Sequence, residues 1–599
     1  MTTMQPTKAK SIYLIFLLLI ILALYFLFER MIWNGKDYFN ARYSDREFVE
    51  LMDGLINEKV FQIKNGKIVA DQDALKRTVQ SDRTMARVRE SLPFLYVKGQ
   101  KIYFDRFSVS VVNSRTLEDE SVLRGRFLDR NGDVLAKSTF NEKTWRQSRE
   151  YAYGPEFYQV IGHWSRVFGK RNLEKELDSY LTGEAHWPVY RKTSEPFRKL
   201  KLGDDVILTL DSQVQRSAYA LMQGKRGAVV VLDIKTGEIL AAVSTPSFDP
   251  NTRERDGWRE AFMDETEKPY LNRAIAGLYP PGSTFKTVVA ATWLEADDEI
   301  VEVLKNGVEC KGRRNQYQIS DNHVHGKIDL ERAFAESCNV FFSEAGVLLG
   351  PGVLEYAERF GFGRKFDLVP QLKKVRYETE PSLAFSWYEY KEDGQTIRSY
   401  GERDYRRNPK IVAQCAIGQN LVTATPLQMA LIASTVANRG VLLNPYMVKE
   451  IRTGDGEKAV FSARPVKMER VMKRKTANKL REFMVDVMEI GTGKNVKKIY
   501  LDEGRFTTAR NSENRKEIKI AGKTGTAQVG DRNGNGETDP DDRPHSWFIG
   551  FAPADDPKVA VAVIAENQGY GSLTAAPIGV EVMAAALGCL AEKQGVNDN

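Results

Sequence analysis

Ser283 and Lys286 stand three residues apart in the stretch Pro280-Pro281-Gly282-Ser283-Thr284-Phe285-Lys286. The prolines and the glycine end whatever precedes them, and residues 287–295 read as a helix. Ser283 is therefore expected at or near a helix N-terminus, with Lys286 on the same face. A hydroxyl and an amine are then within reach of one another, beside the free backbone N–H groups of the helix end. A serine nucleophile with a lysine base needs that arrangement. Alone the spacing is weak evidence, since a chain of this length holds roughly two or more such pairs by chance.

Two further clusters bear on it. Ser337-Cys338-Asn339 lies inside an apolar run that reads as a helix over residues 330–342, where buried polar groups must find partners. By itself it reads as an ordinary helix with a buried hydrogen bond. Lys523-Thr524-Gly525-Thr526 lies in a strand-like stretch, and a lysine flanked by small residues suits an anion. Gly525 would let a substrate approach the backbone. Gly522-Lys523-Thr524 also ends like a phosphate-binding loop, but that loop needs a glycine where Glu517 stands.

Two groups of residues suggest metals. Asp531, Asn533, Asn535, Asp539 and Asp542 fall at positions 1, 3, 5, 9 and 12 of a calcium loop, with Gly536 at position 6 and Glu537 at position 7. Position 12 is aspartate rather than the usual glutamate, and the flanks read as strands. A polar hairpin turn is the competing reading. Cys310, Asp321, His323, His325 and Cys338 form a looser set whose spacing fits no standard zinc site, so structural or substrate-rim roles are expected there.

The elements that must position these residues can be read coarsely. Strands are expected over 227–232, 238–244, 518–528, 546–552 and 559–566, with a helix over 576–590. Asp211 is a candidate N-cap for a helix over 214–222. Asn131-Gly132 between apolar residues signals a hairpin, and Gly183 a helix C-cap. Residues 11–28 are an uncharged apolar run preceded by Lys8 and Lys10, near the minimum length for a membrane span. They lack a small-x-small cleavage site, which favours an uncleaved anchor with the N-terminus inside over a signal peptide.

Taken in order, Ser-x-x-Lys, Ser-x-Asn and Lys-Thr-Gly are far more specific than any one of them. With them the chain resembles a class B penicillin-binding protein, a monofunctional peptidoglycan D,D-transpeptidase. Leu271-Asn272-Arg273-Ala274, Ile417-Gly418-Gln419, Thr425-Pro426-Leu427-Gln428-Met429-Ala430 and Ser546-Trp547-Phe548-Ile549-Gly550 are similar to that family's other stretches, and residues 124–136 to its non-catalytic pedestal. The resemblance covers the anchor and residues 121 to about 590, but not residues 33–120.

The resemblance implies an α+β fold of the penicillin-binding protein/serine β-lactamase type: a five-stranded antiparallel sheet with helices on both faces, an elongated mainly β pedestal and one N-terminal transmembrane helix. The expected division is a cytoplasmic tail 1–10, anchor 11–32, extension 33–120, pedestal 121–203, transpeptidase domain 204–592 and tail 593–599. It also implies roles. Ser283 attacks the penultimate D-Ala carbonyl of a stem peptide, Lys286 is its base, Ser337 relays a proton, and Asn339 orients Lys286 and binds the substrate amide. Lys523 supplies positive potential, and Thr524 and Thr526 hold the terminal carboxylate beside Gly525. The backbone N–H groups of Ser283 and Thr526 form the oxyanion hole, typically worth ~3 kcal/mol per donor. β-Lactams would trap Ser283, and a SEDS-family glycosyltransferase is the implied partner.

Composition is ordinary for a globular protein, and the length suggests about three or four domains. The 42% hydrophobic and 28% charged content can build sizeable cores. A net charge of +7 over 599 residues is no nucleic-acid footprint. Four cysteines are too few for a disulfide framework, although Cys310 and Cys338 would be the pair to consider. No cofactor is required beyond a possible structural calcium. A β-lactamase, a β-lactam sensor and an idle scaffold of a wall-building complex remain the alternatives.

Overall fold

A computed structural model describes residues 122–141, 146–165, 169–186, 201–252, 264, 266–372, 374–391, 394–496, 518–530 and 542–597, with four short strands between residues 61 and 104. The apolar run 11–28 and residues 531–541 of the expected calcium loop lie outside these. Among the described residues no helix is long and apolar enough to cross a membrane.

The core of the molecule is an antiparallel five-stranded sheet. Its strands are β1 (Gly227–Asp233), β2 (Ile239–Thr245), β3 (Ala521–Ala527), β4 (His545–Ala552) and β5 (Val559–Ala565). They run in the order β2-β1-β5-β4-β3, which leaves β3 at an edge. β4 and β5 are buried at every position, as their near-continuous apolar sequences require for strands covered on both faces. One face carries α1 (Ser212–Leu221) and α6 (Ala575–Asn597). The other carries α4 (Pro426–Ala437) and α5 (Arg474–Glu489), beyond which lie α2 (Lys286–Glu295) and α3 (Asn339–Leu349). All twelve residues of α4 are buried. A helix apolar on every side belongs inside a domain, and its start is fixed by Pro426 at the first turn and by Thr425, whose hydroxyl accepts from the Gln428 N–H at 3.1 Å.

The expected five strands, the sheet and its helices on both faces are all present. Asp211 caps α1, accepting from the Gln213 and Val214 N–H groups. One expected element divides. The helix expected over 330–342 is two helices, Leu330–Ala335 and α3, because Ser337 takes a left-handed backbone (φ 62°) between them. The cause is tertiary. Asp321 accepts from the Asn339 N–H at 2.7 Å and the Val340 N–H at 3.0 Å, which starts a fresh helix at that point.

The pedestal shares a sheet with residues that follow it. A second sheet runs Ala459–Ser462, Val448–Arg452, Asp205–Leu208, Phe127–Leu128, Val134–Asn141, Arg146–Tyr151, and so crosses the expected boundary at 203. The hairpin turn at Asn131-Gly132 is organised by Asp129, which accepts from Asn131 and Asp133 N–H groups and from the Ser212 N–H that opens α1. Beneath the hairpin, buried Glu174 accepts from Arg124 at 2.6 Å and Arg149 at 2.7 Å. Glu174→Ala would remove the carboxylate that two buried guanidinium groups share, leaving Arg124 with Asp178 and Arg149 with the Gly125 carbonyl. We expect it to cost about 3–5 kcal/mol, read as a lower denaturation midpoint of the whole chain.

Candidate active site

The nucleophile turn is built by its neighbours. Tyr279 exchanges two backbone hydrogen bonds with Ala424, and the Trp547 indole N–H donates to the Pro280 carbonyl at 2.9 Å. Gly282 (φ 54°) donates to the Gly418 carbonyl at 2.9 Å. Residues Gly282–Phe285 then form a 3-10 turn that leads into α2. Ser283 thus lies in the turn rather than in the α-helix, and it is partly exposed, while Lys286 behind it is fully buried. Gly418 (φ 76°) cannot carry a side chain, since a Cβ there would sit 2.0 Å from the Gly282 carbonyl oxygen. Gly418→Ala must push the turn that holds Ser283. We expect at least a tenfold loss of β-lactam acylation with a smaller loss of stability, checked by labelling rate and thermal unfolding.

Lys286 Nζ donates to the Ser337 carbonyl at 2.6 Å and to Asn339 Oδ1 at 2.7 Å, with Ser337 Oγ at 3.3 Å. Burial lowers its pKa to about 8, against the opposing pull of Asp321 and Cys338. The two short bonds match the two N–H groups of a neutral amine and leave its lone pair for a hydroxyl. Lys523 on β3 is also fully buried, above the Phe334 ring, and donates to the Thr524 carbonyl at 3.1 Å. Burial first, and then the nearby Lys286, hold it well below the ordinary lysine range.

β3 presses its free edge against the nucleophile turn. A Cβ on Gly525 would lie 2.9 Å from the Thr284 methyl and 3.1 Å from the Pro281 carbonyl, so its missing side chain makes room for protein rather than for substrate. Thr526 is partly exposed beside the turn, its hydroxyl accepting from the Gly571 N–H at 3.4 Å. Thr524 is buried, and its hydroxyl lies 2.6 Å from that of Thr492. The structure therefore brings Ser283, Lys286, Ser337, Asn339, Lys523, Thr524, Gly525 and Thr526 to one cleft between β3 and the ends of two helices.

The family model of the penicillin-binding protein transpeptidase domain matches residues 227–584, and that of the penicillin-binding protein A dimerisation domain matches residues 124–201. This chain belongs to the class B penicillin-binding proteins. It is similar to the peptidoglycan D,D-transpeptidase PbpA of Mycolicibacterium smegmatis, 31% identical over 79% of this chain and 91% of that one. It is also similar to the peptidoglycan D,D-transpeptidase MrdA of Acinetobacter baumannii, 28% identical over 86% of this chain and 78% of that one. The structure of penicillin-binding protein A from M. tuberculosis as a ceftriaxone acyl-enzyme superposes with a TM-score of 0.62 at 28% identity, over 78% of this chain and 99% of that one.

In this penicillin-binding protein, sequence reasoning missed two neighbours of the catalytic set. Asp321, in sequence a loose metal candidate, caps α3 and faces Lys286. Thr492 is the second. It stands between Gly491 and Gly493 just after α5, and that Gly-Thr-Gly turn was the only local signal. Of the five looser metal candidates, four come together. The ligand atoms of Cys310, Asp321, His325 and Cys338 lie within 4.8 Å of one another, while His323 contributes only a backbone carbonyl to Cys310. Two thiols, an imidazole and a carboxylate at that separation suit zinc. Both thiols now point at Asp321 Oδ2, at 3.3 and 3.2 Å. Of the expected calcium ligands, Asp531, Asn533, Asn535, Glu537 and Asp539 lie outside the described residues, and Asp542 directly precedes the β4 side of that connection.

Proposed function

We propose that this chain is a membrane-anchored peptidoglycan D,D-transpeptidase working through a Ser283 acyl-enzyme. The observation that carries this is a buried, pKa-lowered Lys286 bonded to Ser337 and Asn339 directly behind a partly exposed Ser283. The neutral amine takes the Ser283 proton as Oγ attacks the penultimate D-Ala carbonyl. The C–N bond to the last D-Ala breaks, and Ser337 returns the proton to the leaving amine. The amine of a second stem then displaces Ser283 and forms the cross-link. Backbone N–H groups of Ser283 and Thr526 hold the oxyanion.

Burial holds the Lys523 amine well below the ordinary lysine range. A carboxylate arriving beside it favours the ammonium that burial disfavours. Thr524 and Thr526 complete the carboxylate site. The apolar run 11–28 is the anchor, with residues from 33 onward outside the cytoplasmic membrane, and a SEDS-family glycosyltransferase is the partner. Nothing in the charge balance calls for nucleic acid.

The test is intact-protein mass after incubation with a penicillin, followed over hours, beside release of D-Ala from a D-Ala-D-Ala peptide in the presence of an amine acceptor. A persistent adduct with acceptor-joined product is expected. Rapid antibiotic turnover would make the protein a β-lactamase. A stable adduct without transfer would favour a sensor, and no adduct on folded protein a scaffold.

Metal is a separate matter. The Cys310, Asp321, His325 and Cys338 group would hold zinc in a structural role, fixing the Ser337–Asn339 turn from behind. We expect stoichiometric zinc in the purified protein, lost in Cys310→Ser, with slower acylation after chelation. Calcium in residues 531–542 would stiffen the connection between β3 and β4. Added calcium raising the denaturation midpoint would be its sign.

A further inference from the structure

We propose that Thr492 is a positioning residue, one that turns the Thr524 hydroxyl proton toward the carboxylate of the acyl donor. The inference rests on the transpeptidase reading above.

The two hydroxyl oxygens are 2.6 Å apart, so one proton lies between them. Each hydroxyl has a single proton to donate. If Thr524 donates to Thr492, it offers a carboxylate only lone pairs, which repel an anion. If Thr492 donates, the Thr524 proton is free for the carboxylate, next to Lys523. Only the second direction is compatible with an anion in the cleft, and it makes Thr492 the obligatory donor of the pair.

Thr492 is held where it can do this. Its N–H donates to the Ala335 carbonyl at 3.2 Å, and its neighbours Gly491 and Gly493 donate to the Asp486 and Val487 carbonyls of α5 at 2.9 and 2.8 Å. Ala335 ends the helix that leads to Ser337. One short turn therefore touches both the Ser337–Asn339 element and β3, and its side chain meets the latter at Thr524. Thr492 itself is partly exposed, whereas Thr524 is 6% exposed, so the buried hydroxyl depends on a protein partner for its orientation.

The experiment compares acylation of the full chain by benzylpenicillin and by its methyl ester, read by intact-protein mass, for the wild type, Thr492→Val and Thr492→Ser. Valine keeps the shape and removes the proton. We expect Thr492→Val to lower the second-order acylation rate with benzylpenicillin roughly tenfold or more. The loss should fall on the half-saturating concentration more than on the limiting rate. The methyl ester, which offers no anion, should react with the variant as it does with the wild type, and Thr492→Ser should restore the acid. Equal losses on acid and ester would mean a structural role and overturn the proposal. So would no loss at all, or failure of serine to rescue. A wild type that penicillin does not acylate would instead overturn the transpeptidase reading itself.

Discussion

Ser283→Ala leaves the protein folded and unlabelled by fluorescent penicillin, and it abolishes D-Ala release. The expected loss is on the order of a million-fold, because a serine nucleophile and its base act as one unit and removing either disables both. The substitution deletes one oxygen from a partly exposed side chain on a turn held by backbone bonds to Gly418 and Ala424 and by the Trp547 indole. Nothing in that scaffold uses Ser283 Oγ, so the denaturation midpoint should stay within about 0.5 kcal/mol of wild type. Labelling of the variant at more than trace levels would place the nucleophile elsewhere.

Lys286 gives the second large effect and fixes its pH dependence. The base is the neutral amine, so acylation should climb as pH rises and level off above about 8, where burial places its pKa. At pH 7 roughly a tenth of the amine is then neutral, against well under a thousandth for an exposed lysine near 10.4. The lowered pKa thus raises the active fraction by more than a hundredfold. Lys286→Arg keeps the charge but cannot deprotonate, and should lose about 10³-fold or more in acylation rate. The measurement is the penicillin acylation rate of both proteins between pH 6 and 9. A wild-type profile flat across that range would remove Lys286 as the base.

Much of the catalytic cleft was readable from the chain, for a local reason. Ser283 and Lys286 need only one turn of chain to meet, and the five strands announce themselves as apolar runs such as Val229, Val230, Val231 and Leu232 in β1. What escaped depends on distant partners. The break at Ser337 is imposed by Asp321, sixteen positions earlier, because a serine has no preference of its own for a positive φ. Thr492 meets Thr524 across 32 positions. The thiol, imidazole and carboxylate cluster forms because Val308–Cys310 pairs with Gly326–Ile328, which sets Cys310 opposite Gly326 and beside His325. A ligand pattern counted along the chain does not include that hairpin. The charged stretch over residues 199–205 marks solvent, and the second sheet runs across it.

That last point bears on how the protein can be divided. Val206 and Ile207 pair in parallel with Phe127 and Leu128 on one side and antiparallel with Ile451 and Glu450 on the other. Phe127 and Val206 are fully buried. A fragment starting at 204 would bare the N–H and C=O groups of Asp205–Leu208 along a newly made edge, and the complementary fragment would bare Phe127–Leu128. Unprotected edges of this kind recruit other chains. The catalytic half produced alone should therefore self-associate through residues 205–208, while a chain that keeps residues 122–141 stays monodisperse.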